Sequence, residues 1–189
     1  MAETQIPRPA VFLDRDGTIC EEVGYLNHPG RFRLFPFAGK AICRLNGAGF
    51  AVIVVTNQSG VARGYFPLSL VHEVHERMRN DLLAEGARIE GVYFCPHGGS
   101  EDCSCRKPKT GMIEQAARDL FLDVSRSFVI GDRYGDMELA FRAGMRAVFV
   151  RTGYGLGEWT WHAQDWPRQP DAVVDDLVRA VDWILEHKS

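Results

Sequence analysis

Short apolar runs recur along this chain of 189 residues, and segments with a helical spacing of apolar residues separate them. The run at 51–55 (AVIVV) contains no polar residue and is rich in β-branched residues, which is typical of a strand covered on both faces. Five further runs also predict strands: 10–14, 91–94, 127–130, 146–150 and 172–174. Strands that alternate with helices predict an α/β fold with a Rossmann-like parallel sheet and helices on both faces.

The intervening segments complete this pattern. The spacing of apolar residues predicts helices at five places: 38–48, 68–85, 111–120, 136–143 and 175–187. Segment 95–110 has two prolines, two glycines and no periodicity, so it is predicted to be a loop. Segment 151–170, which carries three tryptophans, is predicted to be irregular. The length fits one ordinary domain, and we expect 1–189 to fold as a single unit.

Charge and hydropathy exclude several classes of partner. The formal net charge of −3 gives no broad attraction to nucleic acid or to an anionic membrane, so any phosphate site has to be built locally. No run approaches the roughly 18 apolar residues that a membrane span needs. The segment 1–9 is polar and contains two prolines, unlike the core of a signal peptide. We expect a cytoplasmic monomer whose partner is a small phosphorylated molecule.

Polar residues stand at or just past the ends of four predicted strands. They are Asp14, Thr56, Cys95 and Asp132. Because the carboxyl ends of parallel strands meet at one edge of a sheet, where ligands bind, these residues are expected to share one site.

The first of these positions opens the motif Asp14-Arg15-Asp16-Gly17-Thr18. Where a strand breaks into a glycine turn, two carboxylates can converge. One can attack phosphorus, and the other can protonate the leaving alkoxide and later deprotonate water. The alternative is a simple Asx turn at Asp16-Gly17. The catalytic interpretation is favoured, because local turn chemistry does not require Asp14.

Neutral and basic phosphate ligands follow in the next two motifs. The tract after the second strand offers hydroxyl and amide donors for phosphoryl oxygens: Thr56, Asn57, Gln58 and Ser59. In Arg106-Lys107-Pro108, the lysine can neutralise the nucleophile and the phosphoryl group. Taken alone, each motif is equally typical of an ordinary polar or basic turn, and their position beside the first motif gives them weight.

The fourth motif, at 131–136, supplies oxygen ligands for a metal. Asp132 can bind Mg²⁺ together with Asp14 and a backbone carbonyl of Asp16, since Mg²⁺ prefers oxygen ligands and keeps several waters. Asp136 opens the following helix. It is an equal candidate for a metal ligand and for a residue that stabilises the helix N-terminus.

A second metal site is indicated by the pattern C-x-H-x5-C-x-C, formed by Cys95, His97, Cys103 and Cys105. Three thiolates and one imidazole make a closed tetrahedral Zn²⁺ site with no open position for water, so the zinc is predicted to be structural. It would hold the loop 95–105, called the zinc loop below, and thereby fix Lys107. Three buried free cysteines are the alternative, which this spacing disfavours.

These motifs, in this order over 11–136, resemble the haloacid-dehalogenase (HAD) phosphatase superfamily. The resemblance implies that Asp14 is the nucleophile and Asp16 the general acid and base. It also implies that Thr56 and Lys107 bind the phosphoryl group, and that Mg²⁺ is held by Asp14, Asp16 and Asp132. The intervals after the first and third strands are too short for a cap domain, so a capless member is expected.

Within that superfamily the zinc loop is similar to two families, the heptose bisphosphate phosphatases and the histidinol-phosphate phosphatases. The tract 56–66 (TNQSGVARGYF), the pair 24–25 and the tripeptide 151–153 are similar to the first family, whereas the five-residue spacer after His97 is closer to the second. The expected reaction is removal of the 7-phosphate from D-glycero-D-manno-heptose 1,7-bisphosphate, in bacterial heptose synthesis for surface glycans. Histidinol phosphate is the alternative substrate.

A bisphosphate needs a second anion site, and four basic residues are candidates for it: Arg63, Arg106, Lys109 and Arg133. A phosphatase of nucleic-acid ends would need a basic groove, which the net charge argues against. A catalytically silent zinc-stabilised binding module is disfavoured because all four catalytic motifs are intact. Histidines outside the motifs, His75 among them, are interpreted as solvated or packed side chains.

Overall fold

The structure, a computed structural model, describes residues 6–188. Six strands form one sheet in the order β3-β2-β1-β4-β5-β6, and every neighbouring pair runs parallel. The strands are β1 Arg8–Leu13, β2 Ala51–Asn57, β3 Gly91–Cys95, β4 Leu122–Gly131, β5 Arg146–Val150 and β6 Ala172–Val174. The predicted Rossmann-like parallel sheet is confirmed, and β1 lies at its centre.

Six α-helices cover the two faces of the sheet. They are α1 Ala38–Gly47, α2 Leu68–Ala84, α3 Gly111–Leu120, α4 Tyr134–Arg142, α5 Gly155–His162 and α6 Leu177–Glu186. The alternation of side chains along β1 sends Val11 and Leu13 into a core with α1, α2 and α6, and Ala10 and Phe12 into a core with α3 and α4. Residues 10–13 of β1 and 51–55 of β2 are therefore all buried, as their wholly apolar runs predicted.

Two elements differ from the sequence prediction. β4 begins at Leu122, five residues before the apolar run at 127–130. The segment 151–170, predicted to be irregular, contains α5 and a 3-10 helix at Ala163–Asp165. Only Gly155 is buried within α5, so this helix has no apolar stripe that a periodicity could reveal.

The connections after β1 and β3 hold no separate domain. Segment 14–37 contains one 3-10 turn, Pro29–Arg31, and segment 96–110 has no helix or strand. The prediction of a capless chain is thus confirmed for these two fully described segments. Of the polar segment 1–9, residues 1–5 lie outside the described part. Among residues 6–188, no helix combines the length and the apolar character of a membrane span.

Candidate active site

Asp14 and Lys107 form the centre of the site, at the carboxyl end of β1. The Asp14 carboxylate is nearly buried; its Oδ1 lies 2.8 Å from Lys107 Nζ and accepts a hydrogen bond from the backbone N–H of Arg15 at 2.7 Å. Lys107 Nζ also lies 2.6 Å from Asp136 Oδ1 and donates to the Val55 carbonyl at 3.0 Å. The buried ammonium therefore joins the turn after β1 to the start of α4.

Three buried carboxylates converge beside this ammonium. Oxygen atoms of Asp14, Asp132 and Asp136 all lie within 4.8 Å of one another. Oδ2 of Asp132 accepts from the backbone N–H of Tyr154 at 2.7 Å, whereas the buried Oδ1 has no hydrogen-bond partner among the described residues. One lysine against three carboxylates leaves excess negative charge, and an unpartnered buried oxygen needs a ligand. This oxygen-only set fits a divalent cation such as Mg²⁺.

The pKa values of these groups show the same charge imbalance. Burial raises the pKa of Asp14 to about 7; Lys107 opposes this rise, while Asp136 and Asp16 add to it. Burial, together with the charges of Asp14 and Asp136, raises the pKa of Asp132 to about 9. Burial also opposes the charge of Lys107, but Asp136 and Asp14 hold its pKa above the ordinary value. A cation at this cluster would favour the ionised carboxylates.

Two glycines leave room for the carboxylate of Asp132. Gly17 has φ +80° and Gly153 has φ +57°, and a Cβ at either position would overlap the Asp132 carboxyl group. A side chain is thus excluded by both backbone conformation and space. Backbone conformation and space therefore account for the glycine of the first motif. Gly153 places the turn before α5 against the cluster of carboxylates.

Asp16 lies at the edge of the cavity, outside the cluster of three carboxylates. Its carboxylate pairs with the guanidinium of Arg15 at 2.8 Å, and Gln58 Nε2 donates to Oδ2 at 3.0 Å. Gln58 Nε2 also donates to the hydroxyl of Thr56 at 2.8 Å. The tract after β2 is thereby connected to the turn after β1. Sequence reasoning did not identify Arg15; a charged residue inserted between two aspartates at the end of an apolar strand was the available signal.

Asn57 holds the backbone on which Lys107 lies. Its Oδ1 accepts from the backbone N–H of Lys107 at 3.1 Å, and its Nδ2 donates to the carbonyl of the same residue at 3.3 Å. This pair of hydrogen bonds fixes the segment after the zinc loop against the end of β2. Asn57, predicted to bind substrate, therefore positions the backbone of Lys107 and also lines the cavity.

The four predicted zinc ligands come together in space. Sγ of Cys95 lies 3.0 Å from Sγ of Cys105, 3.7 Å from Sγ of Cys103 and 3.5 Å from Nδ1 of His97. The sulfurs are too far apart for a disulfide of about 2.05 Å. All four donor atoms lie within 4.8 Å of one another, which is the spacing of ligands that share one ion. The donor set of three thiols and one imidazole fits Zn²⁺.

A cavity of about 440 Å³ opens above Asp14. Its wall combines carboxylates, amides, basic groups and aromatic rings: Asp14, Asp16, Glu22, Gly24, Tyr25, Leu26, Thr56, Asn57, Gln58, Ser59, Gly60, Arg63, Phe66, Arg106, Lys107, Arg133, Gly135, Asp136 and Tyr154. Most of the predicted substrate-binding residues are in this set. Lys109 is not; its half-exposed ammonium pairs with Asp102 at the surface, 2.9 Å away.

Arg133 is held at the mouth of the cavity by α5 and the turn before it. Its guanidinium carbon lies 4.4 Å from the ring centroid of Tyr154, and its Nε lies 3.2 Å from Oε1 of Glu158. Sequence reasoning missed both partners, because it did not predict α5. Arg106 approaches the same cavity from the zinc loop side, where its Nη1 donates to the carbonyl of His97 at 3.2 Å.

Known proteins share this sequence and fold. A family model described as HAD-hydrolase-like matches residues 104–180. The chain is 42% identical to D-glycero-D-manno-heptose-1,7-bisphosphate 7-phosphatase of Thermosynechococcus vestitus, over 96% of this chain and 98% of that protein. It is 37% identical to D-glycero-beta-D-manno-heptose-1,7-bisphosphate 7-phosphatase of Haemophilus ducreyi, over 94% and 98% of the two chains.

A solved structure of a protein with a similar name has the same fold. The D,D-heptose 1,7-bisphosphate phosphatase of B. bronchiseptica, crystallised with magnesium and phosphate, superimposes with a TM-score of 0.86 at 30% identity, covering 95% of this chain and 99% of that chain. The sequence resemblance to HAD phosphatases is thus confirmed. The chain belongs to the family of HAD-like phosphatases that includes the D-glycero-D-manno-heptose-1,7-bisphosphate 7-phosphatases.

Proposed function

We propose that this protein removes the 7-phosphate from D-glycero-D-manno-heptose 1,7-bisphosphate. The observation that carries the proposal is the cavity itself. A buried carboxylate held by Lys107 lies at its base, and three arginines line its wall. That arrangement suits a small substrate with one phosphate at the nucleophile and a second anionic group farther out. The names of the relatives support the choice of sugar.

The residues at the base can carry a double displacement. An oxygen of Asp14 attacks phosphorus, the bond from phosphorus to the sugar oxygen breaks, and Asp16 gives its proton to the leaving alkoxide. Water then attacks the phosphorus of the aspartyl phosphate, its proton passes to Asp16, and the bond to Asp14 breaks to release inorganic phosphate. Lys107 balances the charge on the nucleophile and on the phosphoryl oxygens throughout.

Mg²⁺ would be held by Asp14 and Asp132, with Asp136 close by and a backbone carbonyl of Asp16 as a further ligand. When bound, the cation neutralises the charge shared between the nucleophile and the phosphoryl oxygens. Asp136 has a second role in any case, because its Oδ1 lies 2.6 Å from Lys107 and its Oδ2 accepts from the backbone N–H of Arg133 at 3.3 Å.

Zn²⁺ would be bound by Cys95, His97, Cys103 and Cys105, with a structural role. These ligands close the loop that leads into Arg106 and Lys107, and the loop has little apolar core of its own. Two hydrogen bonds would connect the ordered loop to the site. Arg106 donates to the carbonyl of His97, and the backbone N–H of Lys107 donates to Asn57.

A phosphate-release screen tests the function directly. The purified protein with Mg²⁺ is incubated with the heptose bisphosphate, with histidinol phosphate and with a 3′-phosphorylated oligonucleotide. We expect the highest kcat/KM for the heptose bisphosphate. Preference for histidinol phosphate would overturn the choice of substrate but keep the chemistry, and no release from any of the three would overturn the proposed function.

A further inference from the structure

Arg15 is a buried cation that the proposed reaction does not use. Its side chain is 2% exposed, although it lies in the turn between the nucleophile and the acid/base. Nε and Nη2 donate to Oδ1 of Asp16 at 3.1 and 2.9 Å, and Nη2 also donates to Oδ2 at 2.8 Å. A planar guanidinium that grips both oxygens fixes the rotation of a carboxylate as well as its position.

The far side of this guanidinium is held by a helix. Nη1 of Arg15 lies 3.1 Å from Nε2 of His75, a buried residue of α2. An arginine has only donors, so Nε2 has to accept, and His75 has to be neutral. Burial, followed by the charge of Arg15, lowers the pKa of His75 to about 3, in agreement with that role. The imidazole itself packs edge-on against Phe94, with 5.3 Å between ring centroids.

The remaining contacts of Asp16 also come from donors. Gln58 Nε2 donates to Oδ2, and the thiol of Cys20 lies 3.7 Å from Oδ1. A carboxylate surrounded in this way is held in one orientation. The contact between Arg15 and His75 joins residues that are 60 positions apart, so it depends on the tertiary fold.

We propose that Arg15 is the positioning residue for Asp16, and that His75 positions Arg15 in turn. Through this chain of contacts, α2 sets the orientation of the acid/base at the edge of the sheet. The inference rests on the proposed function, in which Asp16 exchanges the proton. Without the guanidinium, Asp16 keeps only its contacts with Gln58 and Cys20 and is held less firmly. A displacement of about 1 Å can slow a reaction by roughly a hundredfold.

A double-mutant cycle in the full-length protein tests whether Arg15 acts through Asp16. The variants are Arg15→Gln, Asp16→Asn and the double variant, assayed with the heptose bisphosphate and Mg²⁺. We expect Arg15→Gln to lower kcat by about ten- to a hundredfold with KM changed less than about threefold. In the Asp16→Asn background, Arg15→Gln should lower kcat by less than about threefold, because the carboxylate that Arg15 positions is already absent. Losses that multiply would overturn the inference.

A matched pair at His75 repeats the test without removing the buried cation. In His75→Gln the amide oxygen can accept the hydrogen bond from Arg15, whereas His75→Leu offers no acceptor. We expect His75→Gln to stay within about threefold of the original kcat and His75→Leu to lose about tenfold, again only when Asp16 is present. Equal losses in both variants would mean that His75 serves packing alone. This pair decides the question if Arg15→Gln does not fold.

The single variant Asp16→Asn separates the two proposals. If Asp16→Asn keeps near-normal turnover, the role of Asp16 in the proposed function is wrong, and the inference falls with it. If Asp16→Asn is slow but Arg15→Gln is unchanged, or its loss multiplies, the proposed function stands and only the positioning of Asp16 by Arg15 is overturned.

Discussion

In Asp14, burial opposes the proposed role as nucleophile. Burial raises its pKa, yet attack on phosphorus requires the ionised form. The ammonium of Lys107, at 2.8 Å, favours the charged carboxylate, and the proposed divalent cation at the neighbouring carboxylates would favour it as well. The ionisation of Asp14 therefore depends on the cations around it.

Asp14→Asn is predicted to abolish turnover while the protein stays folded. An amide cannot attack phosphorus, so phosphate release should fall by at least about a thousandfold. The thermal unfolding midpoint should change little, because the amide relieves repulsion from Asp136 and Asp16 while Lys107 keeps its contact with Asp136. Asp102→Asn, a fully exposed carboxylate outside the cavity, is the control. A near-normal rate in Asp14→Asn would rule out the aspartyl-phosphate mechanism.

Arg106 is the residue we expect to contact the distal phosphate. A charge-assisted contact of roughly 1.5–3 kcal/mol corresponds to about a ten- to hundredfold preference for the bisphosphate over heptose 7-phosphate. Arg106→Ala should remove most of that preference and change kcat/KM for the monophosphate by less than about threefold. Steady-state kinetics on both substrates measures this, with Arg126→Ala as the control, since Arg126 pairs with Asp123 away from the cavity.

The two outcomes that contradict this assignment differ in meaning. An equal loss on both substrates would place Arg106 at the reacting phosphoryl group or in the support of the zinc loop, to which its bond with His97 already connects it. No loss on either substrate would mean that Arg106 contacts neither phosphate.

At the scale of elements, the zinc loop and the strand ends form one unit. The loop starts at the last residue of β3, and the segment that follows it is held to the end of β2 through Asn57. The loop positions Lys107 only if both ends are fixed, and the proposed zinc ion would supply the order that a small core cannot.

Cys103→Ser is predicted to lower stability and activity together. Loss of one thiolate weakens the zinc site, so metal analysis should show clearly less than one zinc per chain, and the free energy of unfolding should fall by at least about 2 kcal/mol. In the unmodified protein, brief EDTA treatment should leave zinc bound, and Mg²⁺ alone should restore activity. Cys43→Ser is the matched control, because Cys43 lies outside the cluster. A need for added zinc in each turnover would contradict a structural role.

The elements that sequence reasoning found are those whose signal is local. Wholly apolar runs marked the sheet. The rule that parallel strands end at one edge predicted one site for Asp14, Thr56, Cys95 and Asp132. Asp14 and Thr56 line the cavity and Asp132 lies in the carboxylate cluster, whereas Cys95 lies in the separate cluster of the zinc loop. α5 was missed because its residues carry no apolar stripe. The contact of Arg15 with His75 was missed because it joins two elements far apart in sequence. Asp136 was left open between two roles. Its Oδ2 accepts from the backbone N–H of Arg133 at the N-terminus of α4, and its carboxylate also contacts Lys107 within the cluster of carboxylates.

At the scale of the whole molecule, buried titratable groups connect the site to the stability of the fold. His75 is neutral in the folded protein, with a pKa lowered to about 3, whereas an unfolded histidine titrates near 6.5. Below pH 6.5 the unfolded chain therefore binds a proton that the folded chain does not. The contribution of the neutral His75 to the free energy of unfolding is fully present above pH 6.5 and is lost as the pH falls toward 3.

His75→Gln is predicted to make the protein less sensitive to acid, since glutamine keeps the acceptor for Arg15 and cannot take up the proton. Between pH 6 and pH 5, His75 should account for a loss of about 1 kcal/mol in the free energy of unfolding, because one proton contributes up to about 1.4 kcal/mol per pH unit. Denaturant unfolding at both pH values measures the difference, with the exposed His162→Gln as the control. If His75→Gln and the original chain lose the same free energy, His75 is not held neutral. Arg15 would then have lost the acceptor that holds it against α2.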